Sequence, residues 1–210
     1  MILSHRKKFI YIHIYKVAGM SIRKALQPYD DLSPADFSAF QNFKFNLAKK
    51  FKLFSALSID HIKAKEIQKY LNPEVYTNYH KFTFVRNPWD WQVSLYHFML
   101  QYSDHPQHKL VKKMKTFDEY IEWRVNNDME LQKDFIIDSQ GKKIVDYVGR
   151  FEHLQKDFSE ILEHLSLEPV QLPYINKSKH KFYKEYYNEH TKNLIGSAFA
   201  EDIKLFNYDF

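Results

Sequence analysis

The sequence predicts an α/β fold, because two short apolar strands each lead directly into a helix. Residues 9–14 favour β-structure and contain no breaker, as expected for a strand buried on both faces of a sheet. Apolar residues then repeat at helical spacing after Gly19. Residues 82–85 form a second such run, followed by Asn87 and Pro88, which are typical of the first positions of a helix. This alternation favours a central, mostly parallel sheet with helices packed against it.

The composition is that of one globular domain. The chain has 210 residues, of which 44% are hydrophobic, and this is enough to bury one core. A single domain over residues 1–210 is therefore expected. Aromatic residues reach 17%, whereas there are only 4 glycines, so each glycine is expected to have a positional reason.

Charge and cysteine content limit the compartment and the partners. The chain has no cysteine, which excludes disulfides and thiolate metal sites. No apolar run approaches the roughly 20 residues that span a bilayer, and the charged start of the chain leads into the first strand without a cleavable hydrophobic region. We therefore expect a cytoplasmic protein with no transmembrane segment. The net charge of +5 favours anionic partners, among them nucleotides, acidic sugars and nucleic acid.

The first strand ends in a loop that is suited to an anion. Lys16 and Gly19 lie between the strand and the helix, and Ser21 is placed to cap that helix. The amides and the dipole at a helix N-terminus, together with a lysine, form a cradle for phosphate. The spacing is not the G-x-x-x-x-G-K-[ST] of a nucleoside triphosphatase. The alternative is an ordinary strand–helix unit with a surface lysine.

The second strand ends at an arginine, in a position where open parallel sheets bind ligands. Arg86 follows the strand and precedes the helix that Asn87 is expected to cap, and Ser94 lies two turns along that helix. A guanidinium offers a planar fork to a phosphate, and the serine hydroxyl adds a donor. The alternative is a structural arginine, buried and paired with Asp90 or another acid.

A histidine between these two loops is a candidate catalytic residue. Residues 37–51 predict an amphipathic helix with a basic face, which is either packed on the core with a solvated rim or forms a mobile lid or a wall of the binding site for an acceptor. Another helix is predicted over residues 62–71 and should end at Asn72 and Pro73. His61 lies at the entrance of this helix, where it is either a functional group or a partly exposed side chain near the cap.

The rest of the chain alternates helices with one more strand. The predicted elements are a helix at 117–125, a turn at 138–141, a strand at 144–148, a helix at 154–165, a basic run at 176–181 and a C-terminal helix at 188–206. The basic run precedes Phe182 and Tyr183. Basic loops beside aromatic rings can bind the phosphate of a nucleotide and stack on its base, or they are simply solvated.

Both loops together resemble those of the sulfotransferase superfamily, and within it the Golgi carbohydrate sulfotransferases and their bacterial relatives. Residues 13–22 read H-I-Y-K-V-A-G-M-S-I and are similar to the 5′-phosphosulfate loop of that branch, H-I-P-K-T-A-G-T-S-I. Residues 84–90, F-V-R-N-P-W-D, with V-S-L-Y at 93–96, are similar to its 3′-phosphate site. The similarity continues to residues 202–210. It implies a three-layer, P-loop-like α/β fold with a central, mostly parallel β-sheet.

The resemblance also implies a reaction and a role for each matched residue. The donor would be 3′-phosphoadenosine-5′-phosphosulfate (PAPS), and the sulfuryl group would move to a hydroxyl, in this branch one of a carbohydrate or glycoconjugate. Lys16 would bind the 5′-phosphosulfate and stabilise the leaving oxygen, and His61 would be the general base. The other implied donor-binding residues are Ala18, Gly19, Met20, Ser21, Arg86, Ser94, Asn176, Ser178 and Lys181. No metal is implied, since lysine and backbone dipoles carry the extra charge.

Four positions depart from the pattern of the branch. Tyr15 replaces a proline, Val17 and Met20 replace threonines, and Trp91 replaces an arginine. The acceptor is not identified by any of these motifs, and its specificity is expected to reside in residues 28–59 and 101–115.

Two other classes of protein stay open. A nucleoside or sugar kinase should show the full triphosphatase spacing and a metal-binding acid. A non-catalytic nucleotide- or polyanion-binding protein should carry its basic residues along one face rather than in two separate loops. Because the chain shows the two loops, sulfotransfer is preferred, and no nucleic-acid partner is expected.

Overall fold

The computed structural model describes residues 1–36, 61–173 and 180–210. Within these ranges the chain divides into two compact units, the first formed by Met1–Val85 with Asp134–Ile175 and the second by Arg86–Lys133 with Asn176–Phe210. The single domain expected over the whole chain stays a prediction. In the described ranges, no helix is both long enough and apolar enough to cross a membrane.

The first unit is built on a mixed sheet of four strands in the order β1-β2-β3-β4. The strands are β1 (Ile2–Ser4), β2 (Phe9–Tyr11), β3 (His80–Val85) and β4 (Tyr147–Arg150). Pairing is antiparallel between β1 and β2 and parallel in the other two pairs. The α/β class and the mostly parallel sheet predicted from the sequence are therefore confirmed.

Aromatic side chains form the core around the two central strands. The ring of Phe82 lies 5.8 Å from that of Phe9 and 5.4 Å from that of Tyr11, between ring centroids. On β3, Phe84 contacts Phe158 at 6.5 Å. All five side chains are fully buried, as expected for parallel strands covered on both faces. Among its described residues, the helices of this unit are α1 (Gly19–Leu26), α2 (Ala64–Tyr70), α3 (Pro73–Asn78) and α7 (Leu154–His164).

The second unit is helical in the part of the chain that the structure describes. Its helices are α4 (Pro88–Gln101), α5 (His108–Val111), α6 (Phe117–Asn127), α8 (Glu189–Ala198) and α9 (Ala200–Phe206). Local signals start the longest of them where the sequence predicts, because the Asn87 side chain accepts a hydrogen bond from the Trp89 amide at 3.0 Å and Pro88 occupies the first helical position. The core of this unit includes Trp91 and Tyr120, which are fully buried and whose rings contact those of Phe199 and Tyr96, respectively.

Several elements differ from the prediction: β2 ends at Tyr11 rather than at residue 14, and α3 and α5 were not expected. β1 was not expected, and the strand predicted at 144–148 is shifted to Tyr147–Arg150. The predicted C-terminal helix is interrupted at Phe199, which has a non-helical ψ of 21° and a fully buried ring that meets Trp91 edge-on at 6.2 Å. The amphipathic helix predicted at 37–51 lies outside the described residues.

Candidate active site

The loop after β2 has an unusual backbone for its residue types. Lys16 and Ala18 have φ angles of 61° and 63°, in the left-handed region that favours glycine. Ala18 is the N-cap residue of α1 and has no side chain to offer, and its carbonyl accepts hydrogen bonds from the amides of Ser21 and Ile22 at 3.0 and 3.2 Å. The prediction that Ser21 caps this helix is therefore wrong, since the left-handed turn at Ala18 starts the helix earlier and leaves Ser21 buried in its first turn.

A histidine ring leaves no space for a side chain at Gly19. A Cβ atom at this position would lie 1.6 Å from Nε2 of His13 and 2.0 Å from its Cδ2. Gly19 has an ordinary negative φ, so the reason for glycine is space rather than backbone conformation. His13, the first residue of the motif at 13–22, thus packs directly on the start of α1 and is 6% exposed.

His61 is held against this loop. Its Nδ1 lies 3.1 Å from the backbone carbonyl oxygen of His13, and the two histidine rings are 4.5 Å apart. On another side the ring of Tyr15 contacts His61 edge-on at 5.7 Å. A carbonyl oxygen only accepts hydrogen bonds, so Nδ1 must carry the proton and Nε2 is the basic nitrogen of the neutral ring. Nearby Tyr11 does not compete as a base, because burial raises the pKa of its hydroxyl far above the usual range.

Two of the three departures from the family pattern in this loop, Val17 and Tyr15, are explained by their packing. Val17 is fully buried, so an apolar side chain suits a position that faces the core. Tyr15 packs edge-on against Phe135 at 6.0 Å as well as against His61. Met20 is 56% exposed, although it is apolar. Lys16 itself is half-buried.

Arg86 has the acidic partner that the sequence analysis gave as its structural alternative. Its Nε donates to Asp90 Oδ2 at 2.7 Å, and the two side chains are 7% and 15% exposed. Ser94 is one helical turn beyond Asp90, so both lie on the same face of α4, and Ser94 is 3% exposed. The ion pair and the predicted anion site involve the same guanidinium, and the pair fixes the orientation of its plane.

Trp91 is a core residue of the second unit. It is fully buried and its ring packs edge-on against Phe199 at 6.2 Å. Where the family usually has an arginine, this chain therefore has an apolar packing residue.

Of the three donor-binding residues expected in the basic run at 176–181, the structure describes Lys181. Lys181 is exposed and its carbonyl oxygen lies 2.7 Å from Nδ1 of His180. Asn176 and Ser178 lie outside the described residues.

The structure brings Lys16, Ala18, Gly19, Met20, Ser21 and His61 together in the first unit, and Arg86 and Ser94 in the second. Among the described residues, no group of three or more histidine, aspartate or glutamate side chains is placed to hold a metal ion.

Comparison with known proteins identifies the family. The solved structure of mouse sulfotransferase SULT7A1 complexed with PAP is similar to this chain, with a TM-score of 0.44 and 16% sequence identity, covering 96% of this chain and 68% of that one. No curated protein sequence matches the chain significantly. A model of the sulfotransferase family matches residues 1–209. Because this match spans nearly the whole chain, the family and the class of enzyme predicted from the two loops are confirmed, and the chain belongs to the sulfotransferase family.

Proposed function

We propose that this protein transfers the sulfuryl group of PAPS to a hydroxyl of a carbohydrate or glycoconjugate. The observation that carries the proposal is the hydrogen bond between His61 Nδ1 and the His13 carbonyl, at 3.1 Å. It ties the expected general base to the loop that contains Lys16, the residue expected to bind the group that moves. Membership of the sulfotransferase family supplies the class of reaction.

The contact with the His13 carbonyl favours the tautomer of His61 in which Nε2 is the basic nitrogen. With its proton on Nδ1, the neutral imidazole presents the Nε2 lone pair to an acceptor hydroxyl. The acceptor oxygen attacks sulfur as the bond from sulfur to the bridging oxygen of the donor breaks. The hydroxyl proton moves to Nε2 of His61, and 3′-phosphoadenosine-5′-phosphate (PAP) leaves. The contact with the His13 carbonyl stabilises the imidazolium that results, because its Nδ1–H donates more strongly when the ring is charged.

The Lys16 loop would stabilise the charge that develops on the bridging oxygen. We assign the lysine ammonium to this oxygen, where its interaction strengthens as the bond to sulfur breaks. Amides of residues 18–20 at the start of α1, with the Ser21 hydroxyl, would receive the 5′-phosphosulfate, since amides at a helix N-terminus are directed at a bound anion. The Ser21 amide is not included, because it donates to the Ala18 carbonyl. The left-handed backbone at Lys16 and Ala18 is a local cost that a bound anion would offset.

Arg86 and Ser94 are assigned to the 3′-phosphate. A guanidinium presents its N–H donors in a planar fork, and the bond from Nε to Asp90 fixes the plane of that fork. That bond supports the assignment, because it holds the guanidinium in one orientation before a ligand binds. The basic run with Asn176, Ser178 and Lys181 is assigned to the nucleotide as well, on the family resemblance alone.

The acceptor is proposed as a carbohydrate because the motifs resemble the carbohydrate branch of the family. Residues 101–115 are one candidate wall for it, and they include Lys109, Lys112, Lys113 and Lys115, which are exposed. Exposed lysines favour an acceptor that already carries negative charge.

Titration calorimetry with PAP, ATP and a single-stranded oligonucleotide tests the proposal. PAP should bind much more tightly than the other two. The substitution Arg86→Ala should weaken the binding of PAP by a few kcal/mol. It should change the binding of adenosine 5′-phosphosulfate little, because that nucleotide has no 3′-phosphate. Preference for ATP with a divalent cation would instead indicate a kinase. Preference for the oligonucleotide would indicate a polyanion-binding protein.

A further inference from the structure

A glutamine side chain clamps the backbone of Arg86. Oε1 of Gln132 accepts a hydrogen bond from the Arg86 amide at 2.8 Å, and Nε2 of the same side chain donates to the Arg86 carbonyl at 2.7 Å. Gln132 is fully buried. The side-chain amide therefore pairs with both backbone groups of one residue, as a neighbouring strand would, at the point where β3 has ended.

The glutamine is itself held by a buried carboxylate. Asp202 Oδ2 accepts from the Gln132 amide at 2.8 Å, and Oδ1 accepts from the Lys133 amide at 2.8 Å. Asp202 lies in the first turn of α9 and is fully buried. Two charge-assisted hydrogen bonds to consecutive amides fix the main chain from which the Gln132 side chain extends.

These contacts determine where the Arg86 guanidinium can lie. Arg86 lies between β3 and α4, outside both elements, and its side chain is anchored at Asp90. A binding group has to be held within about half an ångström of its productive position. We infer that Gln132 is a positioning residue for recognition of the 3′-phosphate through Arg86, with Asp202 as its support. The inference rests on the proposed function, since it needs a 3′-phosphorylated nucleotide at Arg86.

The variant Gln132→Glu separates positioning from simple structural support. As a carboxylate, the substituted side chain accepts from the Arg86 amide but repels the Arg86 carbonyl. Once protonated, it donates to that carbonyl and restores the pair, and burial raises the pKa at which this happens. At about pH 8, PAP should bind the variant about tenfold more weakly than the wild type, the size of one lost hydrogen bond with a group left unsatisfied. The ratio of the two dissociation constants should return towards one at about pH 5.5, where the buried carboxyl has taken up its proton.

Adenosine 5′-phosphosulfate, which lacks the 3′-phosphate, should bind wild type and variant equally at both pH values. Gln92→Met is the matched control, because Gln92 is an equally buried glutamine of the same unit whose Oε1 is bonded to Arg124 rather than to Arg86. It should leave the preference for PAP over adenosine 5′-phosphosulfate unchanged. Gln132→Met, which cannot be rescued by acid, should lose that preference at every pH.

The inference would be overturned if Gln132→Glu lost the same affinity for both nucleotides. It would also be overturned if the ratio of the variant and wild-type dissociation constants for PAP did not change with pH in a folded variant. Either result would leave the proposed function standing. Failure of the wild-type protein to bind PAP would overturn both. If Gln132→Met does not fold, the affinity of Gln132→Glu for PAP at low pH is sufficient to test the inference, since the protonated side chain has nearly the shape and bonding of glutamine.

Discussion

Replacing Gly19 by alanine should disturb the Lys16 loop through a collision with one ring. The new methyl would lie 1.6 Å from Nε2 of His13, whereas real Cβ atoms essentially never approach another heavy atom within 3.0 Å. The φ angle of Gly19 is not positive, so alanine meets no backbone strain there. The collision with His13 is therefore the main effect of the substitution.

The magnitude follows from how tightly the ring is held. To accept the methyl, the His13 ring has to move by more than an ångström, yet it is 6% exposed and lies between the rings of Tyr11 and His61, at centroid distances of 6.0 and 4.5 Å. Overpacking of a filled site costs about 1–3 kcal/mol. For a chain of this length each kcal/mol lowers Tm by roughly 2–4 °C, so Gly19→Ala should lower Tm by about 2–12 °C.

Differential scanning calorimetry measures this, with Gly196→Ala as the control. Gly196 lies within α8, and a Cβ there would meet only Trp89 at 3.5 Å, so alanine should stabilise the helix by about 0.5–1 kcal/mol. The double variant His13→Ala with Gly19→Ala should be more stable than the sum of the single losses predicts, since the ring is gone. The steric argument would be refuted if Gly19→Ala had the same Tm as Gly196→Ala. It would also be refuted if the losses of stability in the double variant were strictly additive.

Three further predictions concern catalysis and pH. Lys16→Ala should lower kcat more than donor affinity, because the charge it meets grows in the transition state; steady-state kinetics showing only a raised KM for the donor would make Lys16 a binding residue. His61→Ala should lower turnover by roughly 10²–10⁴ with PAP affinity and Tm near those of the wild type, whereas His80→Ala should act through packing. The pH profiles of kcat/KM for both variants distinguish these roles, and an unchanged acidic limb in His61→Ala would assign the base elsewhere. Burial, with a smaller contribution from His164, lowers the pKa of His80 below its usual 6.5. The unfolded chain then takes up a proton that the folded protein resists, so the free energy of unfolding should decrease as the pH falls below about 6.5. Urea denaturation from pH 8 to pH 5 checks this, and His80→Gln should flatten the profile; a slope equal to that of the wild type would show that His80 is not the group responsible.

Elements with strong local signals were predictable from the sequence. The start of α4 is one, because the Asn87 cap, Pro88 at the first position and Asp90 in the first turn all act within four residues of one another. The strand at residues 82–85 and the helix that begins at Leu154 are also found where periodicity places them.

Elements whose position depends on distant partners were predicted less well. The strand expected at 144–148 stops one residue short of Gly149, and glycine weakens an isolated strand. In the structure β4 continues through Gly149, because the Phe84 ring of the neighbouring strand occupies the space of its missing side chain, where a Cβ would lie 2.4 Å from the ring. Three-residue β1 was missed because Ile2–Ser4 is too short to show a period of its own.

In the candidate site, too, contacts between nearby residues were predictable and contacts between distant residues were not. The pairing of Arg86 with Asp90 was predictable as an alternative, because four residues separate them across a helix start. The sequence predicted that Gly19 has a positional reason but not what that reason is, since the His13 ring that occupies the space of a Cβ is identified only in the structure. Gln132 has no periodic or motif signal, and nothing in the sequence connects it to Arg86.

The Gln132 clamp also has a consequence for the order in which the two loops can form. The Lys16 turn closes through neighbours, as in the bonds from Ser21 and Ile22 to Ala18. By contrast, Arg86 meets Gln132 across 46 positions, and Gln132 meets Asp202 across another 70. Contacts of such long range are entropically expensive and form late in folding. During synthesis from the N-terminus, we expect the Lys16 loop to form while most of the chain is still unmade, and the backbone of Arg86 to be fixed only after Asp202 has left the ribosome.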